Sequence, residues 1–202
     1  MANVDAAFGL KPIRHLNGNP WNGATTKMLV EDSYATSLFV GDPVVITGTA
    51  GADDTTGHYM AVNLATAGDT GRISGVIVSI EPILTDLSKT YIPGYSGGYV
   101  NVCTDPDVIY IVQDDAGATL DGGSLGTNCV FASGTGSTVT GLSAWELAAA
   151  TTPAADASYQ GTILAVHNKE GNAFGVNCIW EVILNNVLRS GAAGVTDGSL
   201  GI

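Results

Sequence analysis

The run Gly94-Tyr95-Ser96-Gly97-Gly98 has the G-x-S-x-G spacing in which a hydrolase exposes a serine nucleophile between a strand and a helix. Here Pro93 precedes the run and the strand-forming segment 99–103 follows it, so a glycine-rich turn entering a strand accounts for all five residues. His167 is the histidine that follows Ser96 in the order such a triad needs. Metal binding fares no better. His15, His58 and His167 stand far apart, and Cys103, Cys129 and Cys178 form no C-x-x-C pair, so neither set has the spacing of a zinc centre. Asp53 with Asp54, Asp105 with Asp107, and Asp114 with Asp115 are paired carboxylates without the Asp-x-Asp-x-Asp-Gly order of a calcium loop. They read as turn formers and solubilising groups. Glu81, Glu146, Glu170 and Glu181 lack the apolar setting and aromatic platforms that glycosidase acids use. No Walker loop and no G-x-G-x-x-G run follows a strand. The expectation is a non-enzymatic chain with no cofactor and no metal.

The elements available to position any of these groups are strands. Short runs rich in Val, Ile, Tyr and Thr alternate with Gly, Asp, Asn and Pro clusters, which is the pattern of β-strands joined by turns. The clearest runs are 26–30, 43–47, 58–65, 72–80, 99–103, 108–113, 128–132, 162–167 and 176–184, about nine strands by this count. Ser143 and Glu146 have capping-box spacing for a helix of two turns at most, while Trp145-Glu146-Leu147 alternates like a strand, and both fit so short a segment. No repeat with a period of 20 to 50 residues is visible, which argues against solenoids and propellers. The fold expected is therefore all-β: a small β-barrel or sandwich with an extended N-terminal arm over 1–25, one β domain over 26–189 and a flexible or partner-ordered tail over 190–202.

Composition sets the class of partner. Of 202 residues 45% are hydrophobic and only 13% charged, against a usual charged share of roughly 25%, so the chain folds and its surface must be covered largely by small neutral groups. Such surfaces commonly meet other proteins. Seven Lys and Arg against nineteen Asp and Glu leave a net charge of −12, which supplies no basic face for nucleic acid and would be repelled by an anionic membrane. The opening Met1-Ala2-Asn3-Val4-Asp5 has neither the basic nor the apolar part of a secretory signal, and no apolar run approaches the ~20 residues of a membrane span, so synthesis in the cytoplasm is expected. Three widely spaced cysteines in apolar segments read as buried thiols rather than a disulfide framework.

The first 25 residues carry Phe8, Leu10, Ile13 and Trp21 without a helical or strand period. A segment of this kind gains stability by lying on another surface, where each buried large side chain contributes roughly 1.5–3 kcal/mol. That surface could be a neighbouring subunit, which makes these four residues anchor candidates, or the chain's own body. Lys11, Arg14 and His15 concentrate positive charge there and could pair with the acidic body of another copy.

The stretch Ala7-Phe8-Gly9-Leu10-Lys11-Pro12-Ile13-Arg14-His15-Leu16-Asn17-Gly18 resembles the start of a group of tailed-bacteriophage virion proteins, which begin with a Phe-Gly-(aromatic or Leu)-x-Pro run. The rest of the chain is similar in style to the phage capsid decoration (cement) proteins, small Gly- and Thr-rich β-barrels, with 44–46, 75–78 and 161–166 reading as barrel strands. The resemblance implies a virion location on the capsid surface, contact with the major capsid protein and with other copies of the chain, often as trimers, and no catalytic residues. A tail tube or head fibre subunit is the alternative within the same class. Phe8, Leu10, Lys11, Pro12, Ile13, Arg14, His15 and Trp21 are the interface candidates.

Overall fold

β-branched and aromatic residues between glycine-rich turns set the chain into twelve strands among the residues that the computed structural model describes, which are 3–50, 58–68, 71–84, 86–152, 158–185 and 187. They are β1 (Lys11–His15), β2 (Thr26–Val30), β3 (Pro43–Ala50), β4 (Met60–Leu64), β5 (Gly75–Ile80), β6 (Gly98–Cys103), β7 (Val108–Gln113), β8 (Asn128–Cys129), β9 (Phe131–Ala132), β10 (Glu146–Leu147), β11 (Gly161–Val166) and β12 (Ile179–Leu184). Among the described residues only two short 3₁₀ turns, Gly122–Ser124 and Ala149–Thr151, break the all-β pattern. The expected tail over 190–202 and the Asp53/Asp54 pair lie outside the described residues.

Strands β2, β4, β3, β5 and β6 close into a barrel in that order. All its contacts are antiparallel except β2 with β4, which is parallel. A second, five-stranded antiparallel sheet has the order β1-β7-β12-β11-β8, and β9 with β10 makes a separate ribbon. The run 128–132, one strand by its apolar content, serves both: β8 pairs with β11, and two residues later β9 pairs with β10.

Period-two alternation welds the two units together. On β5, Val76 and Ile77 are both fully buried but point to opposite faces, so Val76 joins the core under the sheet and Ile77 the core inside the barrel. Cys103 and Val102 on β6 divide the same way. The barrel core gathers Met28, Val30, Leu38, Val44, Val62, Ile92 and Val100, while the sheet core holds the bulkiest buried side chains, Trp145, Trp180, Tyr110 and Phe131. One barrel wall is thus shared, which is why a single chain of this length carries both layers as one body.

Candidate functional site

The N-terminal segment takes the second of the two courses open to it in sequence: it packs on its own chain. Asn3 donates from Nδ2 to the carbonyls of Ala173 and Val176 at 2.9 Å each, and its Oδ1 accepts from the Ala173 N–H at 3.1 Å. Gln113 clamps the next residues, donating to the Val4 carbonyl at 2.8 Å and accepting the Ala6 N–H at 2.8 Å. Residues 11–15 then form β1 along β7, with a register shift at Ile13. Leu10 is 1% exposed inside the sheet core and Pro12 is buried as well, so neither side chain is free to anchor on a neighbour, contrary to one of the two expectations. Phe8, Ile13 and Trp21 are half-buried.

The charged candidates divide. Arg14 reaches Glu181 on β12, Nη2 to Oε2 at 2.7 Å, and His167 meets the other oxygen of the same carboxylate at 3.1 Å. Burial pushes the Glu181 carboxyl up, but the hydrogen bonds from His167 and Arg14 outweigh it and hold the group below its ordinary range. His15 faces Asp105 at 3.5 Å. Arg14 and His15 of the segment thus both face this chain's own carboxylates. Lys11 is different: among the described residues its ammonium group has no carboxylate partner, and neither has that of Lys169.

Two glycines decide how close the segment can approach the barrel. Gly9 sits at φ +73°, and a Cβ there would come within 2.5 Å of both the Gly41 carbonyl oxygen and Ser143 Cβ. Gly41, at φ +95°, in turn passes the Phe8 carbonyl, and the Leu10 N–H donates to the Gly41 carbonyl at 2.9 Å. Only residues without a side chain fit this crossing. Asp42 fixes the turn that carries Gly41: its Oδ2 accepts the Phe39 N–H at 2.8 Å. Burial raises the Asp42 carboxyl to about 6, partly offset by hydrogen bonds from Ser143 and the Phe39 N–H.

The crossing opens an apolar groove of about 590 Å³ between sheet and barrel. Phe8, Leu10, Lys11, Pro12 and Trp21 supply one side, and Val40, Gly41, Ile77, Val78 and Leu142 come from the barrel and its loops. Ile111, Ile179, His167 and Lys169 complete the lining from the sheet and its turns. Five of the eight residues picked from sequence thus meet in one cavity. The other contributors carried no signal of their own, because strand residues such as Ile111 and Val78 look alike whether they face core or groove, and Lys169 reads only as part of the turn 169–172. No family model matches the chain, and neither does any curated protein or solved structure.

The other groups of possible chemistry are placed as structural parts. Ser96 is exposed on a turn where Tyr95 and Gly97 both stand at φ 59°, and the turn runs directly into β6. Ser96 lines a cavity with Leu29, Asp32, Glu81 and Leu84, whereas His167 lines the groove. Cys103, Cys129 and Cys178 are free and buried. Asp105 accepts the Asp107 N–H at 2.9 Å in a local turn. Asp114 is fully buried and accepts from the Asn177 N–H, the Cys178 N–H and Trp180 Nε1 at 2.6, 3.1 and 2.9 Å. Among the described residues no three His, Cys, Asp or Glu side chains gather as a metal site would need. Among the described residues no helix is long and apolar enough to cross a membrane. Ser143 caps no helix: its Oγ accepts the Trp145 N–H at 3.0 Å and the chain goes straight into β10.

Proposed function

We propose that this protein is a structural component of a phage virion, a decoration or cement protein that stabilises the head by bridging major capsid subunits and acting beside other copies of itself. The observation that carries the reading is the groove: an apolar surface rimmed by two lysines that have no carboxylate partner among the described residues, built around the Phe8-Gly9-Leu10-Lys11-Pro12 run in which the resemblance to virion proteins resides. Large apolar side chains left open to solvent, among them Leu84 at 91%, Val139 at 87%, Leu87 at 74% and Tyr95 at 73% exposure, support a role fulfilled in contact with other proteins. The mechanism is mechanical. Packaged nucleic acid strains the shell, and a bound bridge adds an interface that must break before subunits separate. Many copies on a closed lattice act together, so each contact can be modest.

The bridging surface in this account is a preformed groove edge rather than a free arm. Electron microscopy of purified particles tests the proposal: discrete densities of this size on the capsid surface support it. Density in the tail tube or in fibres assigns the chain another virion role, and its absence from particles refutes it. The hydrolase reading has its own test: Ser96 and His167 line different cavities, and labelling of Ser96 by a fluorophosphonate probe would favour that reading over a structural role.

A further inference from the structure

An asparagine side chain can be attacked by the backbone nitrogen of the residue after it, and a glycine in that place leaves the nitrogen unshielded by any side chain and free to reach unusual backbone angles. The chain has two Asn-Gly pairs, Asn17-Gly18 and Asn22-Gly23, and both stand between β1 and β2. All four residues are exposed. Gly18 and Gly23 share left-handed backbone, φ +89° and +84°, and no atom lies within 4 Å of where a Cβ would sit on either. The side chains match as well: Asn17 Oδ1 accepts the Asn19 N–H at 3.0 Å, and Asn22 Oδ1 accepts the Ala24 N–H at 3.1 Å. In each pair that donor faces the oxygen on which negative charge gathers when the carbonyl carbon is attacked.

The nucleophile separates the two sites. The Gly18 N–H donates to the His15 carbonyl at 2.9 Å, closing the turn 15–18, and the His15 N–H donates to the Asn19 carbonyl at 2.8 Å across the same loop. The Gly18 nitrogen can attack only after its bond to His15 opens. The Gly23 N–H has no hydrogen-bond acceptor among the described residues, and residues 22–25, which lead into β2, pair with no strand. Asn22 therefore combines a polarised carbonyl, an open nucleophile and the room to close a ring, whereas Asn17 has the first and the last but not the second.

We propose that Asn22 is a site of spontaneous deamidation and that Asn17, with the same sequence signal, is protected by its turn. The Gly23 nitrogen loses its proton to solvent base and bonds to Asn22 Cγ. The bond from Cγ to the side-chain nitrogen breaks, and that nitrogen takes a proton from water and leaves as ammonia. Water then opens the resulting succinimide at one of its two carbonyls, which gives aspartate or isoaspartate at position 22. Water is the sole co-reactant and nothing is oxidised or reduced. The product carries a new negative charge one residue from Trp21, which lines the groove and packs against the sheet core, and isoaspartate also lengthens the main chain there. The chemistry does not depend on the virion reading.

The test incubates the full chain in warm, mildly alkaline buffer below its melting temperature and follows both sites by peptide mapping and mass spectrometry, with isoaspartate detected by enzymatic methylation. In the folded chain Asn22 should convert about fivefold or more faster than Asn17, the factor that corresponds to opening one backbone hydrogen bond of about 1 kcal/mol net. In urea strong enough to unfold the chain the turn is gone, and the two rates should draw together. Gly23→Ala should slow conversion at Asn22, because a methyl group then shields the nitrogen, and thermal melts report whether that variant folds as the wild type does. Several results would overturn the proposal: conversion at Asn17 as fast as at Asn22 in the folded chain, or no conversion at Asn22 in the folded chain. A ratio of rates that stays the same in urea also overturns it, since it assigns the difference to flanking residues rather than to the turn. So does a folded Gly23→Ala chain that converts as fast as the wild type.

Discussion

Replacing Gly9 with alanine should cost far more than its single methyl group suggests. The residue stands at φ +73°, where an L side chain carries strain of about 1–2 kcal/mol. The new Cβ would also lie 2.5 Å from the Gly41 oxygen and 2.5 Å from Ser143 Cβ. Relieving such overlaps forces backbone shifts that typically cost a further 1–3 kcal/mol, and neither neighbour is the loose end of a flexible side chain. The sum is about 2–5 kcal/mol, or roughly 5–15 °C in melting temperature for a chain of this size. Gly18 is the matched control, since it has φ +89° with nothing within 4 Å, so Gly18→Ala carries only the backbone strain, about 1–2 kcal/mol. Urea unfolding followed by the fluorescence of Trp21, Trp145 and Trp180 measures both. Equal destabilisation by the two substitutions would refute the account, because it would mean that the segment does not cross the barrel as closely as the Gly9–Gly41 contact requires.

Glu146 gives a pH-dependent expectation. Burial, and then the charges of Asp5, Asp115 and Asp114, push its carboxyl from 4.5 up to about 7. A raised acid favours the folded state below the unfolded value and costs stability as pH climbs from about 4.5 through 7. Glu146→Gln should therefore stabilise by roughly 1–3 kcal/mol at pH 8, with the gain fading by pH 5, and thermal melts at both values check it. Asp114→Ala should destabilise by about 3–5 kcal/mol in chemical denaturation, because the Asn177 and Cys178 amides and the Trp180 indole would lose their acceptor in a buried site. A loss below about 1 kcal/mol would mean that water replaces the carboxylate.

The strands with strong apolar runs were legible because their pattern and their pairing agree: 26–30 and 108–113 are found with the bounds read from sequence. Where tertiary contacts decide, the pattern is silent. β1 carries Pro12 and no alternation, and becomes a strand only because β7 offers a free edge and a register shift at Ile13 absorbs the misfit. The segment 128–132 looks continuous in sequence but divides between two sheets, a choice made by β11 and β10. At 145–147 strand and helix signals balanced, and pairing with β9 settles it as strand. The groove was half visible. Its N-terminal side stood out as aperiodic apolar residues with leftover positive charge, but the barrel and sheet residues opposite are ordinary strand positions whose exposure depends on how two units meet.

Folding the N-terminal segment back on its own body changes the energetics of any contact it makes. A free arm that ordered on a partner would lose about 1–2 kcal/mol of backbone entropy per residue at the moment of binding. Here that cost is met during folding, through Leu10 in the core and the clamps from Asn3 and Gln113, so a partner meets a rigid edge. The same economy couples stability to contact. Leu10 and Trp21 line the groove and also pack in the sheet core, so truncating either would lower both properties and separate neither. Lys11 and Lys169 stand on the rim without holding up the fold, which makes reversal of their charge the cleaner probe: a loss of association at unchanged melting temperature would assign the groove to recognition, and parallel losses in both would assign it to packing alone.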